Sequence, residues 1–219
     1  MTLTKEILMQ TLTTVMQNLE LNKERLNQAD TTSGNYGTVL LAGLRDAYKA
    51  VVGAISGPHT LVDTLSHLGA GVSKTSGSSS SALTGMLFTG MARTLQSSKS
   101  DVLDGDGVIR MFEGALDHMR TATRAFNGDK SMLYALIPAV GAMSGLRGTD
   151  SSAREVFIAG AGAVRKLISN LGKSQTTRSP YGGDGGGGTA TMTAPPKTST
   201  GAITLAYILE AFANASRQE

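Results

Sequence analysis

The chain has 219 residues, of which 40% are hydrophobic and only 5% aromatic, with a formal net charge of +3 and neither cysteine nor tryptophan. That length can bury a substantial core as one domain or at most two. The missing cysteine excludes disulfides, thiolate metal sites and a cysteine nucleophile. So small a charge, with no Lys/Arg cluster interleaved with aromatics, argues against a nucleic-acid partner. No run approaches membrane-spanning length, and "MTLTKEILMQ" lacks the basic region and apolar core of a signal peptide, so the expected setting is cytoplasmic.

Apolar residues recur at spacings of three and four along the chain. Ile7, Leu8, Leu12, Val15 and Leu19 predict a first helix with Thr4 as its cap. Val39, Leu40, Leu44, Val51 and Ile55 predict a second, ended by "SGPH", and Leu61, Leu65, Leu68 and Val72 a third. Leu83, Leu87, Met91 and Leu95 follow the serine run as a fourth; Ile109, Phe112, Leu116 and Met119 follow "DGDG" as a fifth. Met132, Leu136, Val140 and Met143 predict a sixth, with Pro138 removing one of its hydrogen bonds. Phe157, Ala161, Val164, Ile168 and Leu171 predict a seventh, and Leu205, Ile208, Leu209 and Phe212 an eighth. No stretch sustains two-residue alternation. The expectation is an all-α chain of eight antiparallel helices in one compact bundle. Lys173 to Thr200, low in complexity and nearly free of apolar residues, reads as a linker or a flexible lid.

Three connecting stretches carry possible chemistry. In "LNQADTTSGNYGTVL", Asp30, Ser33 and Asn35 offer the oxygen ligands that Mg²⁺ accepts, and Gly34 and Gly37 allow close approach to a phosphate. The plain alternative is a helix end, a turn and a new N-cap. "TSGSSSSALTGMLF" runs small hydroxyl residues into a helix start, which suits an anion or simply a capped connector. "VLDGDGVIRMFE" imitates a calcium loop, but its first ligand position is Val102. Asp106 is the expected cap of the fifth helix there. His59, His67 and His118 have no partners at ligand spacing and read as surface residues. The Gly182–Gly188 run lacks the strand that a dinucleotide fingerprint needs.

These stretches, with "GDKSMLYALIPAV" and "STGAITLAYILEAFAN", occur in the order of a known family. Together they resemble the nucleotide-binding L subunit of dihydroxyacetone kinases, which is also the C-terminal domain of the single-chain enzymes. The resemblance covers nearly the whole chain and is most specific at "GDKSMLYALIPA". It implies an eight-helix antiparallel barrel that binds ADP or ATP with Mg²⁺ at one rim. It further implies a separate K-type subunit that holds the ketose, and a phosphocarrier subunit in phosphotransferase-linked systems.

By the same resemblance, the family's metal loop D-x-x-x-G-D-G-D-H-G keeps its first acid as Asp30. Its other two acids fall on Ser33 and Asn35, its histidine on Tyr36, and its glycine on Gly37, followed by Thr38. Ser79 and Ser80 would lie by the phosphates, Thr123 and Met132 near the adenine, and Lys173 where the family has arginine. Ser199, Thr200 and Gly201 replace the family's D-P-G, which makes the Gly-rich segment a lid over the nucleotide. One carboxylate in place of three implies a weakened grip on Mg²⁺, because neutral oxygens lose most of the Coulomb attraction. A kinase subunit and a regulatory or scaffold protein on the same fold both remain open on this reading.

Overall fold

The computed structural model describes residues 2–30, 33–54, 60–74, 79–97, 101–123, 131–174 and 200–215, with only the backbone at Ala54, Ser79, Ser80, Ser131 and residues 172–174. Eight helices and no strand occur among the described residues: α1 Lys5–Ala29, α2 Tyr36–Ala54, α3 Leu61–Lys74, α4 Ser79–Leu95, α5 Gly105–Ala122, α6 Ser131–Ser144, α7 Ala153–Ser174 and α8 Thr200–Ala215. The all-α expectation is met element by element. Thr4 caps α1, accepting the Ile7 N–H, and Pro138 lies inside α6. The cap of α5 differs: Asp104 accepts the Gly107 N–H at 2.7 Å, while Asp106 sits in the first turn and accepts the Gly148 N–H. A helix start offers several N–H groups, and the acid just outside the helical turn is the one that can fold back to them. Ile55, "SGPH" with His59, and the segment from residue 175 to Ser199 lie outside the described residues.

Consecutive helices pack against one another, and α8 returns to α1, closing a ring. Cross-helix pairs give the direction. Glu20 meets Arg45 and Asn27 meets Thr38 across α1 and α2; Glu113 meets Ser144 across α5 and α6. Asn27, late in α1, meets Thr38, early in α2, and Glu20, further back on α1, meets Arg45, further along α2. On α6 the last residue, Ser144, lies beside mid-α5, so neighbours run antiparallel. The C-terminal ends of α1, α3, α5 and α7 therefore share one end of the ring with the starts of α2, α4, α6 and α8. At the opposite end Leu3 and Leu103 exchange backbone hydrogen bonds at 2.7 and 2.9 Å, tying the N-terminal segment to the chain before α5.

Small residues let α3 and α4 approach closely. A Cβ on Gly69 would lie 2.8 Å from the Thr89 nitrogen, and one on Gly85 would lie 2.9 Å from the Gly69 carbonyl oxygen. Only hydrogen fits at those crossings of α3 and α4. The core is one contiguous cluster drawn from all eight helices. Its aromatic centre is Phe157 of α7, edge-on to Phe112 at 6.0 Å and stacked on Phe212 at 4.6 Å. Twelve of the sixteen residues of α8 are buried, which follows from a largely apolar helix packed between α1, α6 and α7. Its one acid, Glu210, reaches Arg165 of α7 through both carboxylate oxygens. No helix among the described residues is long and apolar enough to cross a membrane.

Candidate functional site

The helix ends that share a rim carry most of the residues singled out from the sequence. Asp30 is the C-cap of α1. Its Oδ1 accepts the Ser33 N–H at 3.3 Å, and its Oδ2 accepts the Ser33 hydroxyl at 2.7 Å and the Asn35 and Tyr36 N–H groups at 3.3 and 3.2 Å. The Ser33 hydroxyl also lies 2.7 Å from Asn35 Oδ1. Asp30, Ser33 and Asn35 are thus brought together. One turn earlier on α1, Asn27 accepts the Thr38 N–H at 3.1 Å and donates to the Thr38 hydroxyl at 2.9 Å. Asn27 escaped the sequence reading. Its spacing of three residues from Asp30 at a helix end was the available signal, since both side chains then face the same neighbour.

Tyr36 is buried, with its phenol oxygen 3.5 Å from the Thr204 hydroxyl of α8. Thr204 in turn donates to the Thr200 carbonyl, so α2 and α8 meet through hydroxyl groups just below the rim. Thr204 was also missed, because a threonine one turn inside a buried helix reads as ordinary core. Gly37 packs on α1, where a Cβ would lie 2.6 Å from the Lys23 carbonyl oxygen. Thr38 is exposed, and Thr200 and Gly201 are buried in the first turn of α8. Thr123 ends α5 with its hydroxyl turned back to the Met119 carbonyl at 2.6 Å, and Met132 is fully buried in the core. Ser79 opens α4 and Lys173 lies in the last turn of α7; their side chains, that of Ser80, and all of Ser199 lie outside the described residues.

The remaining stretches resolve into structural contacts. Glu113, the last acid of the calcium-like loop, pairs with Arg147 and Ser144; the Arg147 hydrogen bond, chiefly, holds its carboxyl below the usual range. His67 Nδ1 lies 2.7 Å from the Asp63 carbonyl, one turn back on α3. His118 faces Arg93 across α4 and α5, and burial, reinforced by that guanidinium, lowers its pKa.

The metal that the family resemblance implies can be tested against this geometry. An ionised carboxylate offers about four acceptor sites, and four protein donors already address Asp30. Ser33 and Asn35 add neutral oxygens that are hydrogen-bonded to each other or to Asp30. Among the described residues no group of three His, Cys, Asp or Glu is placed to hold a metal ion. A pair of Mg²⁺ ions, which bind tightly only through oxygens of sufficient charge and give up water reluctantly, does not fit these residues.

No curated protein sequence matches the chain. A family model does: the DAK2 domain matches residues 33–214, spanning α2 to α8 and most of the rim. The chain belongs to the DAK2 domain family of dihydroxyacetone kinases.

Proposed function

We propose that the chain is the nucleotide-binding subunit of a dihydroxyacetone-type kinase, holding ADP or ATP across the rim. A ketose carried by a separate K-type subunit would then meet the terminal phosphate. The single observation that carries this reading is the family match over residues 33–214. The antiparallel ring supports it by gathering the starts of α2, α4, α6 and α8 at one end, since helix starts present N–H groups and partial positive charge to an anion. Of the positions assigned by resemblance, Ser79 and Ser80 at the start of α4 would lie by the phosphates, with Lys173 at the end of α7 and Gly201 at the start of α8 on the same rim; Ser199 lies outside the described residues. Thr123 and Met132 would lie near the adenine, and Tyr36, Gly37 and Thr38 would border the nucleotide at the start of α2. The segment before α8 would act as the lid of a single helical domain, and a phosphocarrier subunit is a second candidate partner.

A second reading rests on Asp30. Phosphoryl transfer relies on metal to neutralise charge in the transition state. A loop whose one carboxylate is engaged by protein donors favours a regulatory or scaffold subunit that keeps the fold and the rim without fast turnover. Titration calorimetry with ADP and with ATP separates the two. Binding at submillimolar concentration supports the nucleotide subunit, and silence at millimolar nucleotide, with and without Mg²⁺, leaves the scaffold.

A further inference from the structure

We infer that Asp30 is the internal anchor of the rim, a fixed anion that closes the N-terminus of α2, and that the loop it organises stands without a divalent cation. The inference goes beyond nucleotide binding and does not need it. A helix start leaves N–H groups without intrahelical partners and carries partial positive charge. At α2 the protein supplies the partners itself. The Asn35 and Tyr36 N–H groups go to Asp30 Oδ2 at 3.3 and 3.2 Å, and the Thr38 N–H goes to Asn27 Oδ1 at 3.1 Å. Asp30 also folds the intervening turn onto itself through the Ser33 N–H and hydroxyl. One carboxylate thus joins the end of α1, the turn and the start of α2.

A cation at Asp30 would draw the carboxylate away from these donors and leave the start of α2 uncapped. The two neighbouring side chains, Ser33 and Asn35, would return only neutral dipoles in exchange. The same closure bars a phosphate from the α2 N-terminus. Any anion held at the rim then falls to the starts of α4, α6 and α8.

The test compares melting of the wild-type protein and Asp30→Asn, without nucleotide, in EDTA and in excess MgCl₂. Asparagine keeps the shape, but both carboxylate oxygens face backbone N–H groups, so either orientation of the amide sets an NH₂ against a donor. The expected result is a melting temperature about 3–8 °C below wild type in EDTA, with wild type melting alike in EDTA and Mg²⁺. A wild-type melting temperature that rises with Mg²⁺ only while Asp30 is present overturns the inference. So does an Asp30→Asn protein that melts with wild type in EDTA. If the variant does not fold, amide hydrogen exchange of the wild type in EDTA decides. Protected Asn35 and Tyr36 amides are expected, and exchange at the rate of a free loop contradicts the anchor. Failure here leaves nucleotide binding untouched, because no nucleotide is present.

Discussion

Asn27 shows how much one side chain contributes when it serves two partners. Its amide accepts from the Thr38 backbone and donates to the Thr38 hydroxyl, so Asn27→Ala removes a cap of α2 supplied from α1. The expected loss is about 1 kcal/mol, read as a lower midpoint in urea with an unchanged slope. Gly69 is constrained differently. A methyl group there would lie 2.8 Å from the Thr89 nitrogen, so Gly69→Ala forces α3 and α4 apart at a cost of about 1–3 kcal/mol. His118 gives a pH signature. Burial and Arg93 lower its folded pKa, so the unfolded chain binds the proton more readily. Stability should fall as pH drops below the ordinary histidine pKa of about 6.5. His118→Gln, which cannot take up the proton, should flatten that slope in melting curves collected from neutral to mildly acid pH.

At the scale of the element, Phe157 is the clearest case. It joins α5, α7 and α8 through Phe112 and Phe212. Phe157→Ala should cost about 3–5 kcal/mol, and the calorimetric unfolding peak of this variant should shift down more than that of any surface substitution on α7. The elements were legible because apolar residues recur at spacings of three and four in each, with Thr4 marking the start of α1. What the sequence concealed lay between elements. The sequence points to Asp106 as the cap of α5. That Asp104 caps instead, with Asp106 turned to Gly148, goes with the close approach of residues 148–151 to the start of α5. Asn27 and Thr204 acquire their roles only when a second helix arrives. Asp30, Ser33 and Asn35, named from the sequence as oxygen ligands, lie within hydrogen-bond distance of one another through the Ser33 hydroxyl. That the donors they meet are the protein's own N–H groups requires the α1–α2 packing, which periodicity does not specify.

Across the whole molecule, antiparallel closure turns eight separate helices into a ring with two unlike ends. One end is tied by the Leu3–Leu103 backbone pair, and the other gathers the helix starts at which the family's chemistry is expected. The core can stay constant while the rim diverges, because the two are built from different parts of each helix. Here the scaffold is that of the DAK2 family, whereas the carboxylate at the rim is committed to holding α2. Nucleotide binding at the rim is therefore predicted to be independent of metal. Its most direct test is calorimetric titration of ADP into the wild-type protein, once in EDTA and once in excess MgCl₂. Submillimolar binding of comparable strength in both buffers is the predicted result, and binding that occurs only in the presence of Mg²⁺ would contradict it.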